Sequence, residues 1–297
     1  MAEKQKAVAK ADPEEGIESK VGEPVEKAEA APTKGHLMDV GPGALGVDLP
    51  CGYLDPDGVL HDTAVVTEMT GYEEDILGGK GGVVARLTKI ITNCTKQVGM
   101  IESRDGIAAA VGQLTASDRM AMLLAIRRVS LGDFYEVRVK CPNEDCKDDV
   151  RFTLNLANID VIKMPDPYTR SREDEVVIPG PNGTEKKIVV KWHAMTTADE
   201  TWLNARMKKK EDILTLGMLA RVDAIDGVEI DRTKRFPQAL KALKSLSLPM
   251  RTAIRRLFDD AEGSVDTNVE FICPSCEHEW EADMDMGQTS FFFPSET

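Results

Sequence analysis

Aromatic residues are scarce in this 297-residue chain, at 5% of the total, although hydrophobic residues as a whole reach 42%. A core must therefore be filled by aliphatic side chains and by the 13 methionines, whose flexible thioethers fit irregular gaps. Positive charge is also short: 37 Lys and Arg face 51 Asp and Glu, a formal net charge of −14. Neutralising phosphates requires a basic face, so this balance argues against a primary role in binding nucleic acid. No uninterrupted apolar run approaches the ~20 residues of a membrane-spanning helix, and no membrane partner is expected. The charged opening Met1-Ala2-Glu3-Lys4-Gln5-Lys6 is followed by no apolar stretch, so no secretory signal is expected.

Catalytic patterns are missing too. The four histidines are His36, His61, His193 and His278, and there is no Gly-x-Ser-x-Gly, His-Glu-x-x-His or Walker sequence. Gly78, Gly79, Gly81 and Gly82 lack the Lys-Ser/Thr that ends a phosphate-binding loop and read as a flexible connection. Glu73-Glu74 and Asp259-Asp260 read as solvated charges at helix ends. No enzyme is expected.

Six cysteines are too few for a disulfide-dense secreted module. Cys51 and Cys94 fit no spacing pattern and read as small buried side chains. The other four do fit one. Cys141 and Cys146 have four residues between them, Cys273 and Cys276 have two, and Pro142 and Pro274 follow the first cysteine of each pair. Tyr135, Val137 and Val139 lead into the first pair, and Phe152, Leu154 and Leu156 lead out. Val269 and Phe271 lead into the second, with Trp280, Ala282, Met284 and Met286 beyond it. Period-two alternation on both sides of a tight turn predicts a β-hairpin with thiols at its knuckle. Two knuckles together present the four sulfur ligands of a tetrahedral zinc site. Four protein ligands leave no position for water or substrate, so the ion would be structural. His278 could replace a thiolate, but a histidine on the polar side of a strand is more often simply exposed.

Residues 1–37 are rich in Ala, Glu, Lys and Pro and cannot bury enough surface to offset chain entropy, so they read as a disordered arm. Residues 38–165 and 166–297 then read as two α+β halves. The first has a turn at Asp55-Pro56-Asp57-Gly58, a strand over 59–66, a helix capped by Thr70, a helix over 83–98, and a helix capped at Ser117-Asp118. The second has a hairpin turning at Asn182-Gly183, a helix starting near Met195-Thr196, a helical stretch over 213–222, and one or two helices over 236–258 broken at Pro249. Short motifs recur at an offset of about 130 residues: Met69-Thr70 with Met195-Thr196, and Ala125-Ile126-Arg127-Arg128 with Ala253-Ile254-Arg255-Arg256. The fold expected is α+β, two degenerate repeats of hairpin, helices and Cys knuckle joined at a zinc-ribbon-like site.

Arg127, Arg128, Arg255 and Arg256 fall near helix C-termini, where they could make ion pairs or meet a partner. Phe291, Phe292 and Phe293 cannot share one face of a strand, so they either pack back on the core or insert into a neighbouring subunit.

Residues 50–294 resemble tailed-bacteriophage proteins of the T-even baseplate hub type, also labelled tail assembly chaperones. Gly58, Met69-Thr70-Gly71-Tyr72-Glu73-Glu74, Asp118-Arg119, Ile126-Arg127-Arg128, Leu131-Gly132, the Cys-Pro knuckles and Phe292-Phe293 carry the resemblance. It implies a non-enzymatic protein of the virion tail, assembled in the host cytoplasm, with other tail or baseplate proteins as partners. The N-terminal arm has no match in it. A tail assembly chaperone absent from the finished particle is one alternative. A zinc-ribbon nucleic-acid regulator is another, though Glu277, Glu279, Glu281, Asp283 and Asp285 give the second hairpin the wrong sign for phosphate.

Overall fold

The structure, a computed structural model, describes residues 8–9, 42–80, 82–165, 171–179, 184–207, 212–284, 286 and 291–292. Of the expected arm only Val8–Ala9 are described, as the short strand β1. The expected turn at Asn182-Gly183, and with it Gly81 and Phe293, lies outside the described residues.

Strands β2 (Ala44–Leu54) and β3 (Leu60–Thr67) form an antiparallel hairpin. Its turn is held by the Asp55 carboxylate, which accepts from Val59 N at 2.8 Å. Helix α1 (Gly71–Gly78) starts at a capping box, with Thr70 as cap and Glu73 accepting from Thr70 N at 2.9 Å. Glu73 is therefore buried and also bonds Asn93, where a solvated charge was expected. Helix α2 (Val83–Cys94) stops four residues early. Thr95–Val98 become β4, because the edge of β3 offers these residues backbone partners that a further helical turn would leave unmade. Helix α3 (Arg104–Val111) was not anticipated. Helix α4 (Ala116–Leu131) is capped by Thr115, with Asp118 as the third residue of its capping box, so the cap lies two residues before Ser117. Gly132, at φ +84°, ends it. Strands β5 (Phe134–Lys140) and β6 (Asp149–Asn155) pair from Phe134↔Asn155 to Lys140↔Asp149, and β1 adds to the far edge of β6.

After the two-residue β7 (Val161–Ile162), strands β8 (Arg172–Pro179) and β9 (Glu185–Trp192) make the second hairpin. Helix α5 (Thr197–Arg206) repeats the box with Thr196 and Asp199, and α6 (Ile213–Leu219) follows. The helical pattern read to 222 again gives way early, to β10 (Val222–Ile225), which joins β9 and turns into β11 (Val228–Glu229). Helices α7 (Phe236–Lys244) and α8 (Leu248–Ala261) are separated before Pro249. That proline sits in the first turn of α8, where a missing N–H costs nothing. Strand β12 (Ser264–Val265) pairs with β7, and β13 (Asn268–Ile272) with β14 (Glu279–Asp283) forms the last hairpin.

Each half thus runs hairpin, two helices, a third strand on the hairpin, two helices, and a Cys hairpin. The packing does not follow the chain. One buried cluster holds Val66, Ile90, Ile91, Met122 and Ile126 of the first half together with Val269, Phe271, Cys273, Phe291 and Phe292 from the end of the second. The other surrounds Trp192, Leu219, Leu243, Ile254 and Phe258, and takes in Cys51 of β2 and Met164. Gly263, just after α8, comes so close to β2 that a Cβ there would lie 2.4 Å from the Pro50 carbonyl oxygen. At the seam Ala116 N donates to Met195 O and Thr197 N to Leu114 O, both at 3.0 Å, and Arg119 pairs with Glu200. No described helix is long and apolar enough to cross a membrane.

Candidate metal centre

Alternation places Tyr135, Val150, Phe152 and Leu154 inward on the first Cys hairpin and Val269 and Phe271 inward on the second. The hairpins meet through three rings. Phe152 is edge-on to Phe271, with centroids 4.9 Å apart, and Phe271 stacks on Trp280 at 5.5 Å. Such pairs add roughly 0.5–1.5 kcal/mol each beyond the area they bury. In a chain with few aromatics, this trio spends them where two hairpins from opposite halves must register.

Past the rings both knuckles turn alike. Cys141 N donates to Asp148 O at 2.8 Å and Cys273 N to His278 O at 3.0 Å, closing each loop. The residue after each second cysteine, Lys147 at φ +55° and Glu277 at φ +57°, adopts the left-handed conformation. That costs about 1–2 kcal/mol for an L-residue with a Cβ, and both knuckles carry it directly after the second thiol.

The four thiols converge. Cys141 Sγ lies 3.7 Å from Cys276 Sγ and Cys146 Sγ lies 3.8 Å from Cys273 Sγ, and all four sulfurs fall within 4.8 Å of one another. None is in a disulfide, which would need sulfurs about 2 Å apart. A tetrahedron with metal–sulfur bonds of about 2.3 Å has edges of about 3.8 Å, so the cluster is compatible with a metal ion. Asn143 Nδ2 donates to Cys276 Sγ at 3.6 Å, a supporting contact that the spacing of cysteines alone did not reveal. His278 is exposed and stacks beside Trp280, outside the sulfur cluster.

The crowded thiols do not ionise alike. Burial and the neighbouring Cys276 and Cys273 push Cys141 up. The Asp148 backbone pulls Cys146 down, but burial and the other three sulfurs outweigh it and bring it to about 12. Burial opposes ionisation of Cys273 as well. There the backbone N–H groups of Ser275 and Cys276, with the Cys276 and Cys146 thiols, bring it down to about 7. Only a cation among them would let all four carry charge together. Cys51 and Cys94 are buried elsewhere and pushed up to about 12, first by burial and then by Asp118 and Glu73 respectively, which suits inert packing thiols.

The arginines and phenylalanines fall in different places. Arg127 is buried and donates to the carbonyls of Phe291 (3.0 Å), Gly132 (2.9 Å) and Phe134 (3.4 Å). Phe291 and Phe292 lie in the first core, Phe291 edge-on to Tyr135 at 5.3 Å. Arg128 pairs with Asp133 at 2.6 Å. Arg255 reaches Thr252 in its own helix, and Arg256 is exposed.

The fold and the site thus define a mixed α and β protein in which two hairpins far apart in the chain bring four thiols together. The chain belongs to the T4 bacteriophage base plate protein family, whose sequence profile matches residues 72–293 and so spans both Cys hairpins. No curated protein and no solved structure matches. Membership makes it a phage baseplate protein, a component of the virion tail that works among other tail proteins.

Proposed function

We propose that the chain is a non-enzymatic structural protein of the tail baseplate, assembled in the host cytoplasm, braced by a structural zinc ion, and working through protein–protein contacts. Cys141, Cys146, Cys273 and Cys276 would hold the ion. The observation that carries this reading is the sulfur geometry: separations of 3.7 and 3.8 Å across the two knuckles equal the edges of a zinc–sulfur tetrahedron. Zinc is favoured because an all-thiolate tetrahedral set is its usual structural site. Its binding free energy would become folding free energy for both halves at once.

Support for an internal duplication comes from the shared order of parts and from the left-handed residue that follows each knuckle. On this reading residues 38–165 and 166–297 are two copies sharing one metal. Among the described residues proposed to face partners, Arg256 is the exposed one and Arg128 and Arg255 are half-buried, while Arg127, Phe291 and Phe292 would act by shaping the body behind the contact.

Elemental analysis of protein purified without added metal should find one zinc per chain, and mass spectrometry of purified particles should find the chain. A folded, metal-free protein would end the zinc assignment, and absence from finished particles would end the structural one.

A further inference from the structure

The two halves treat the outer edge of their first strand differently. Along β2, Cys51 N and Gly52 N donate to the buried Asp118 carboxylate at 2.7 and 3.0 Å, and Met164 N donates to Pro50 O at 2.8 Å. That edge is closed by the chain itself. Among the described residues β8, its counterpart, pairs only with β9. Beside it runs a cleft of about 530 Å³ toward α8, with Val177, Leu248, Ala253, Leu257 and Arg256 among its walls. Val177 and Leu248 are 44% and 71% exposed.

The charge on this edge selects what can pair with it. Glu173, Glu175 and Val177 point outward, while Val176 and Ile178 are buried. On the closed side Glu175 pairs with Lys187 of β9 at 2.7 Å, and Lys191 stands opposite Glu173. On the open side no basic strand of the described chain answers these acids. A second β8 would bring acid against acid, which is how edges resist self-pairing. A strand alternating Lys with small apolar residues fits.

This chain carries a close match, Lys4-Gln5-Lys6-Ala7-Val8-Ala9, which if extended would set Lys4, Lys6 and Val8 on one face. Laid parallel to β8, that face meets Glu173, Glu175 and Val177 in order. The last two residues of that segment already form an edge strand, since Val8–Ala9 pair with Thr153 and Phe152 of β6. A grip of two residue pairs is short and readily exchanged.

We propose that the open edge of β8, with the cleft toward α8, receives residues 4–9 of a second copy of this chain. Exchange of both arms closes a twofold dimer, which satisfies both edges.

Sedimentation of the full-length protein tests this. The expected result is a dimer that is lost on deleting residues 1–12 and weakened about tenfold or more by E173K/E175K, as reversal of two cross-strand charge pairs implies. E173Q/E175Q, which removes charge without reversing it, should weaken it about threefold. Mixing E173K/E175K with K4E/K6E should restore pairing between the two variants. A peptide of residues 1–12 should bind the arm-deleted protein and not its E173K/E175K form, and thermal melts check that each variant is folded. A monomer at every concentration, or a dimer indifferent to loss of the arm, overturns the proposal. So does an arm-deleted protein that takes a Lys-Val alternating peptide but not residues 1–12, which would assign the edge to a basic strand of another protein.

Discussion

Helices α4 and α8 occupy the same place in the order of parts and carry the same Ala-Ile-Arg-Arg run, yet they sit in different surroundings. On α4 the buried residues include Asp118, Arg119, Met122, Leu124, Ile126 and Arg127, so the helix is enclosed on nearly every side. On α8 they are Ile254, Phe258 and Ala261, a single stripe. The difference lies in what wraps them: β2, the Cys hairpins and Phe291 cover α4, whereas α8 faces solvent beside β8. Similar local sequence therefore gives similar local structure, while burial is decided by segments far away in the chain. The surroundings of α4 are therefore closed by the chain itself, whereas α8 and the β8 edge beside it stay open among the described residues.

The largest test of this contrast is removal of the metal proposed to sit among the four thiols. Chelation, or Cys273→Ser, should cost more than about 5 kcal/mol, and calorimetry should show one transition splitting into two. The enclosed core, which holds the second knuckle, should melt first. A next test swaps equivalent residues. Arg127→Ala leaves three carbonyls without a donor and should cost about 3 kcal/mol, whereas Arg255→Ala should cost less than about 0.5 kcal/mol in urea unfolding. Equal costs would mean that the two helices are enclosed alike.

The third concerns pH in the second half. His193 lies 3.3 Å from Asp199 and 3.1 Å from Asp223, and Arg232 also pairs with Asp199. Burial pulls the imidazole down, but the bonds to Asp199 and Asp223 outweigh it and raise it from 6.5 to about 9. A raised histidine contributes in full below about pH 6.5, and that contribution is lost as pH climbs through about 9. Stability should fall by about 3 kcal/mol across this window, and His193→Gln should flatten the profile. Asp199 is held below the usual carboxylate range despite its burial, through His193, Thr196 and Arg232, so its contribution fades only in strong acid. The smallest effect concerns the knuckle turns, where Lys147→Gly and Glu277→Gly each relieve a left-handed residue and should raise stability by about 1 kcal/mol.

The sequence made the knuckles legible because cysteine spacing and period-two alternation are both local signals, and the caps at Thr70 and Thr196 were legible for the same reason. Reading Glu73 as solvated overlooked its three-residue spacing from Thr70, the signature of a capping box. Strand β4, and Val222 at the start of β10, were read as helix because each directly continues an apolar helical pattern; only the waiting edges of β3 and β9 make them strands. Burial of Arg127 was invisible for a similar reason. Its acceptor, the Phe291 carbonyl, lies 164 residues away.

The assignment of the last hairpin to the first core bears on synthesis. Phe271, Cys273 and Phe291 leave the ribosome long after α4 and β5 have been made, so the body around α4 cannot close until translation has passed them. A chain lacking that hairpin and Phe291 would leave the first core open, with Arg127 short of its Phe291 carbonyl and the Cys141 knuckle without its partner thiols. Closure of the first core thus waits on the hairpin that is made last.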